Sequence, residues 1–498
     1  MGYIESDNRE LVEWFEWCKR KAGQYVVTGR KNAPINDGRA PARDYMPCFW
    51  AAHRTRTAFY SRDYMHSSLG ASFLGYNEEN YNMMMSFIRS ATKERGYFAY
   101  WSINFDGETP YDLDFRDDNY FVREIPPMFE LVEHIYRQYL WTGDERYLSD
   151  EVFDFCTRTL TTFIRSLDTD GNGIPEGTND TDLSTPYATY DERTEIAFKE
   201  TGDEIACLYQ AMMAYAGLNK ARGNCDAYDV WMKKAEELKK YFNEEWSVMP
   251  GDPDGHYVCG IDHNGKKYNH FAVETSVFMP LKSITAPGER TREYLQHINR
   301  SQGTGIGFES YDANMGIIES SHNIEGYTYY PELFYMYNDH VTAWKWMKYI
   351  DSMRHKRQEG PNQGPNGYYP ELSFTMVSNT ISGMMGVEVD VPANRISTLP
   401  RLPDDIRYVT LEEQKLGNHT VELMHCGRTF SSLTNLSETP LVWRARFAGE
   451  YSYIYLNGVP TKSVVTELNG QTISYVETTV MPYAICVARL EHDPYGET

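Results

Sequence analysis

Residues 124–142 read EIPPMFELVEHIYRQYLWT. Within them Met128, Leu131, Val132, Ile135, Tyr136 and Tyr139 recur every three or four positions, the period of a helix with one apolar face. The stretch 145–167 continues the pattern with Leu148, Val152, Phe153, Cys156, Leu160, Phe163, Ile164 and Leu167, and 203–219 repeats it with Ile205, Leu208, Tyr209, Met212, Met213 and Ala216. Weaker versions occupy 9–20, 63–75, 78–93, 226–246, 271–283, 289–302, 327–339, 341–355 and 372–386. These are twelve helical segments, many of them separated by turns as short as Thr142-Gly143-Asp144. Short connections imply antiparallel helix pairs. Six such pairs predict a mainly α chain closed into a double ring, the (α/α)6 toroid.

Alternate connections are long: 94–123, 168–201, 250–270, 303–326 and 356–371, rich in Gly, Pro, Asp and aromatics. Long loops recurring at one end of a rigid scaffold are where sites are built. From 388 the period becomes two. Tyr408–Leu411, Thr420–Leu423, Val442–Phe447 and Tyr453–Leu456 read as strands, and Asn457-Gly458 is a hairpin signal. The expected organisation is an N-terminal helix and lead-in over 1–45, the ring over 46–399 and a small β-sandwich-like domain over 400–498 that stabilises the ring.

The 498 residues are 41% hydrophobic and 24% charged, a globular composition, with 48 basic against 71 acidic side chains for a net charge of −23. Such a surface repels nucleic acid and anionic lipid. No run reaches the length of a membrane span. The N-terminus, MGYIESDNRELVEW, lacks a basic region followed by an apolar one, so the expected compartment is the cytoplasm, or the periplasm or exterior had a signal been removed. Eight scattered cysteines without a CxxC pair predict unreactive thiols. Aromatics are 14%, including 39 Tyr and 10 Trp, which suits both a helical core and the CH-rich faces of sugars. Oligomeric state stays open, a homo-oligomer included.

The densest feature is Asp168-Thr169-Asp170-Gly171-Asn172-Gly173-Ile174-Pro175-Glu176. Its spacing mimics a calcium loop, but Glu176 comes too early for the distal ligand, so a turn capping the helix 145–167 is the alternative. No metal and no cofactor are expected: a G-x-S-x-G elbow, a P-loop, a G-x-G-x-x-G after a strand and H-E-x-x-H are all missing.

Carboxylates continue through Glu176, Asp180 and Asp182 to Thr189-Tyr190-Asp191-Glu192. D-x-D-G-x-G-I-P-E, then T-Y-D at 189–191, then A-x-L-Y-x-A at 206–211, resembles the acid-bearing loop of glycoside hydrolase family 116, which comprises (α/α)6 β-glucosidases and glucosylceramidases. That resemblance implies Asp191 as general acid/base with Thr189 as its hydrogen-bonding neighbour. The family's nucleophilic glutamate has no counterpart in His53–His66, which contains no Glu. R-x-A-F-Y-S-R-D-x-x-H at 56–66 and Y-P-E-L-S-F at 369–374 more closely resemble the glucuronidase-type glycoside hydrolase family 154, over nearly all of 45–490.

Independently of family, residues 53–66 gather His53, Arg54, Arg56, Arg62 and His66 around a single acid, Asp63. Arginine's planar fork suits a sugar carboxylate; salt bridges to the plentiful acids of neighbouring loops are the competing reading. Glycoside hydrolysis needs two carboxyl groups, one protonated. Without the retaining nucleophile, an inverting reaction is expected, with Asp191 or Glu192 as acid and Glu309, Glu319, Glu325 or Glu371 as base. Glu325 ranks first, at a helix mouth before Tyr329-Tyr330-Pro331, and Glu371, after Tyr368-Tyr369-Pro370, follows; each is equally explained as a first-turn acid favoured by the helix dipole. Glu124 and Glu176, with Thr189, Tyr190 and Tyr327, complete the expected substrate-binding set beside His53, Arg54, Arg62, Asp63 and His66. The expected activity is exo-hydrolysis of a terminal β-linked sugar from an oligo- or polysaccharide, β-glucuronic acid first. A polysaccharide lyase on a uronic-acid polymer, a β-glucosidase/galactosidase-like hydrolase on neutral sugars and a non-catalytic carbohydrate binder are the rivals.

Overall fold

The computed structural model describes residues 2–52, 55–190, 196–269, 273–303, 325–357 and 364–490. Among them six helices pack side by side in an inner circuit: Ser61–Phe73, Pro126–Thr142, Gly202–Ala221, Val273–Leu281, Tyr329–Met336 and Pro370–Ser378, the last returning onto the first. Each is backed by a second helix, in order Asn77–Ser90, Asp150–Arg158 with its continuation to Leu167, Cys225–Tyr241, Glu289–Gly303, His340–Met353 and Arg9–Gly23. Five pairs are neighbours in sequence. The sixth joins the chain's first helix to its last inner helix, which ties the N-terminal segment to the ring.

Pro126–Thr142 is buried on more than its expected apolar face: Glu130, Glu133, His134 and Gln138 are buried too, while Tyr136 and Tyr139 are only half-buried. Leu131, Val132 and Ile135 of Pro126–Thr142 are fully buried, whereas Arg9–Gly23 buries only one stripe, Leu11, Trp14, Phe15, Cys18 and Ala22. Close approach of inner helices depends on a residue without a side chain. A Cβ on Gly70 would lie 2.0 Å from the carbonyl oxygen of Phe374.

Beyond the ring, two antiparallel-dominated sheets face each other. One has seven strands, running from Tyr3–Ser6 at its edge through Tyr408–Leu416, His419–Cys426, Phe430–Asn435 and Ile485–Arg489 to the hairpin Tyr453–Leu456/Val459–Lys462. The hairpin turns at Asn457 and Gly458, both at positive φ (47° and 82°), as an Asn-Gly turn requires. The second sheet has five strands, Glu388–Asp390, Arg395–Thr398, Leu441–Ala448, Gln471–Val480 and Val464–Leu468. The edge strand Tyr3–Ser6 pairs with Val409–Glu412, so both chain ends contribute to one β layer.

His425, fully buried where that layer meets the ring, contacts Ser431 Oγ (2.8 Å) through Nδ1 and the carbonyl of Met385 (3.0 Å) through Nε2. A neutral ring satisfies both by donating from Nε2 and accepting at Nδ1. Burial pushes the imidazole down from 6.5 to about 4, although the Met385 carbonyl favours the charged form. A group depressed on folding stabilises fully above its unfolded value, and that contribution is lost as pH falls from 6.5 toward 4, on the order of 3 kcal/mol here. His425→Gln, which keeps a donor, is therefore expected to flatten the fall of the thermal midpoint across that window. A slope matching that of the unaltered protein would refute it.

Candidate functional site

The inner helices all start at the end of the ring where the long loops gather. Pro126, Pro127 and Pro370 occupy first-turn positions, where a missing N–H costs nothing. On Ser61–Phe73, His66 follows Arg62 by four residues and Asp63 by three, so each of the two neighbours it along the helix surface.

That surface meets two distant segments. Arg62 donates from Nη1 to the carbonyl oxygen of Tyr190 (3.2 Å), and its guanidinium lies 5.2 Å from the Tyr190 ring centre. Asp63, 6% exposed, accepts a hydrogen bond from the Tyr369 hydroxyl, and burial raises its carboxyl above the usual range despite the nearby Arg62 charge. His66 Nδ1 and Glu371 Oε1 share a hydrogen bond, with both side chains 5% exposed. The His66 ring stacks on Tyr329 with centroids 3.5 Å apart and planes 3° from parallel, and its Nε2 lies 4.0 Å from Glu332. Burial pushes His66 down to about 4 against the pull of Glu332 and Glu130, so the ring is neutral near pH 7. A single proton then serves the His66–Glu371 contact.

The loop ahead of residue 191 is fastened at several points. Arg123 N–H donates to Leu183 O (2.8 Å), Tyr187 N–H to Arg123 O (2.9 Å) and Ile125 N–H to Tyr187 O (2.9 Å), which stitches the loop to the lead-in of Pro126–Thr142. Asp203, at the start of Gly202–Ala221 and fully buried, accepts from the Tyr190 amide (2.7 Å), the Thr189 hydroxyl (3.1 Å) and the Thr201 hydroxyl (2.5 Å). Burial lifts its carboxyl to about 6, and these donors resist the rise. Peptide connectivity puts residue 191 immediately after the amide Asp203 holds. Asp191 and Glu192 lie outside the described residues, as do His53, Arg54, Glu309 and Glu319.

The Tyr190 hydroxyl donates to Glu130 Oε2 (2.6 Å), which belongs to a charged cluster in the ring's interior. Lys282 Nζ donates to Glu130 and to Glu133 (2.7 Å), and Arg137 pairs with Glu133 at 2.8 Å. Against the cost of burial, Arg137 and Lys282 hold Glu133 down to about 2. Glu130, Glu133 and His134 bring ligand-type atoms within 4.8 Å of one another, but the two carboxylates are already engaged by these cations. Sequence reasoning passed over Glu130, Glu133 and Lys282. The available signal was E-x-x-E-H set among the apolar positions of 124–142, polar residues where the helix has no solvent face.

The remaining expected site residues are placed as follows. Glu124 accepts from the Trp101 indole N–H (2.7 Å) at the mouth of Pro126–Thr142. Glu325 opens the short turn Glu325–Thr328 leading into Tyr329–Met336, and its side chain is not among those described. Tyr327 is 8% exposed and stacks on Trp346, with centroids 5.7 Å apart and planes at 9°. Arg56 is engaged by the Tyr60 hydroxyl (2.5 Å), which in turn donates to Asp114 (2.6 Å). In the 168–176 loop, Asp168 accepts the amides of Gly171, Asn172 and Gly173, and Glu176 accepts the Thr169 hydroxyl and the Asp170 amide. Lys199 Nζ stands 2.5 Å from Asp170 and 3.3 Å from Glu176. These oxygens therefore serve the turn and a lysine.

No protein-family model matches the chain, and no curated protein is significantly similar to it. Solved structures do resemble it. A GH78 family rhamnosidase of Bacillus sp. GL1 superposes with a TM-score of 0.58 at 13% identity, over 86% of this chain and 40% of the other. The α-L-rhamnosidase from Dictyoglumus thermophilum gives 0.58 at 13%, over 98% and 50%, and that from Aspergillus terreus 0.53 at 14%, over 96% and 50%. The chain thus spans about half the length of these enzymes or less. At such identities the likeness is one of fold alone.

Proposed function

We propose that the chain is an exo-acting glycoside hydrolase on an (α/α)6 toroid that releases a terminal β-linked sugar, β-glucuronic acid first, by inversion. The motifs at 56–66 and 369–374 make family 154 the favoured affiliation. One observation carries the reading: Arg62 touches Tyr190 while His66, one turn on, touches Glu371. Three segments far apart in sequence therefore meet, two of them adjoining or bearing a carboxyl group expected to be catalytic, Asp191 and Glu371, and the third bearing the expected substrate-binding residues Arg62, Asp63 and His66.

In this reading Asp191 gives its proton to the glycosidic oxygen as the C–O bond breaks. Glu371, or Glu325 on the neighbouring helix mouth, takes a proton from water as that water's oxygen bonds to the anomeric carbon. His66 aims Glu371 and, being neutral, leaves it able to accept. Arg62 receives the substrate's carboxylate. Asp63, held by Tyr369, shapes the floor beneath them.

The test is product stereochemistry by proton NMR on aryl glycosides. The expected result is α-glucuronate as first product from an aryl β-glucuronide. Turnover of neutral glycosides alone would remove the uronate clause, β-product would replace inversion by retention, and an unsaturated product absorbing in the ultraviolet would make the protein a lyase.

A further inference from the structure

A cavity lies at the end of the ring away from the long loops, where the C-terminal halves of inner helices meet the β layer. It has a volume of about 550 Å³, and its walls include His134, Arg137 and Trp141 of Pro126–Thr142, Met336, and Asn469 at a hairpin tip. Arg401 lines it and a contiguous 110 Å³ recess. Nothing in the reaction above uses this space.

Arg401 is only 5% exposed, and among the described residues its Nε has no hydrogen-bond partner. Its Nη1 donates to the carbonyls of Gly383 (2.9 Å) and Ser382 (3.4 Å), which a π-turn over Asn379–Met384 leaves free of ordinary helical bonds. Arg446, 8% exposed, lies near it and takes the local acid, Glu388, at 2.9 Å. Glu388 is thus taken by Arg446, and among the described residues Arg401 makes no ion pair of its own. A buried cation with an unfilled donor is costly unless an anion completes it. The other acids on the wall point to the ligand's charge. Asp390 is bound to Arg395 at 2.6 Å, while Glu332 and Glu388 disfavour a second negative charge. Trp141 and Met336 offer apolar surface, and Asn469 and Ser382 offer hydrogen bonds, a mixture that fits a hydroxylated ring.

We propose that this basal cavity is a binding site for a singly charged, hydroxylated carboxylate of mono- to disaccharide size, a sugar acid, with its carboxylate on Arg401. The site is separate from the one at the loop-rich end and does not depend on the activity assigned there.

The experiment is calorimetric titration of the full chain with D-glucuronate and, separately, D-glucose, repeated on Arg401→Gln and on Leu140→Trp, which adds bulk at another residue of the cavity lining and leaves the arginine in place. Circular dichroism checks that each variant is folded. Expected is a glucuronate-binding event that weakens by about 10-fold or more in either variant, with glucose binding not affected by them. Crystals soaked in glucuronate should show its carboxylate at Arg401. A glucuronate event unchanged by both variants belongs to the other end of the ring and overturns the proposal, as does the absence of any event in the unaltered chain. Equal binding of glucose at this cavity overturns the anion assignment. If Arg401→Gln fails to fold, Leu140→Trp and the soak still decide.

Discussion

Replacing Asp191 by alanine is expected to lower turnover of an aryl β-glucuronide by about 10³- to 10⁴-fold while leaving the thermal midpoint near that of the unaltered protein. A general acid acts only on the departing oxygen, so the loss should depend on the leaving group. It should be smallest for para-nitrophenol, whose anion departs unaided, and largest for an alkyl glycoside. Asp203→Asn should give a milder signature. Asp203 holds the Tyr190 amide and the Thr189 hydroxyl from full burial, and asparagine keeps an acceptor but loses the charge that gathers three donors. A shift of the following residue by about 1 Å is enough to cost around 100-fold. The expected result is a 10- to 100-fold fall in kcat at unchanged KM, with the leaving-group trend of Asp191→Ala in weaker form, because a positioning residue acts only through the acid it holds in place. Asp191→Ala with full activity would dismiss the acid assignment. A chain inert on every glycoside would favour the non-catalytic binder.

The helical ring was legible because stretches such as Met128 to Tyr139 repeat apolar positions with helical period over several turns, and that period survives whatever the partner is. The β layer was equally plain from alternation at Thr420–Leu423 and from Asn457-Gly458. The strand Tyr3–Ser6 was not, because four residues carry no period and the pairing with Val409–Glu412 is set by the fold. The site was half legible. Arg62, Asp63, His66 and Glu371 were singled out by residue type, yet which of them meet depends on ring closure bringing Pro370–Ser378 back against Ser61–Phe73. The basic run 53–66 reads as one cluster in sequence, but the strand Ala58–Tyr60 divides it, so Arg56 turns to Tyr60 and Asp114 while Arg62 turns to Tyr190. Lys282 illustrates the remaining gap. It sits 152 positions from Glu130, and a lone lysine after an apolar helix reads as a helix end.

Lys282→Met should therefore be among the most damaging single changes to stability. The ammonium group is 5% exposed and joins Glu130 and Glu133, also nearly inaccessible, across the interior of the ring. Removing one member of a buried ion cluster leaves the others charged and without water, at a cost of about 3–5 kcal/mol, whereas a neutral set of similar shape is often tolerated. Arg137 still balances Glu133. Glu130 has no such second cation among the described residues and retains only the Tyr190 hydroxyl at 2.6 Å. The expected outcome is a chain with a much lower thermal and urea midpoint, and largely restored stability when Glu130→Gln is added, since that second change removes the one charge left uncompensated. The coupling energy from the four-membered cycle should be on the order of 2 kcal/mol or more, well above the few tenths expected of independent sites. Because Glu130 also fixes Tyr190, the single Lys282→Met variant should lose activity beyond what its unfolded fraction explains, as the loop leading to residue 191 follows the tyrosine. Additive midpoints across the cycle would show that the cluster is not a unit, and would detach the ring's interior from the chemistry at its rim.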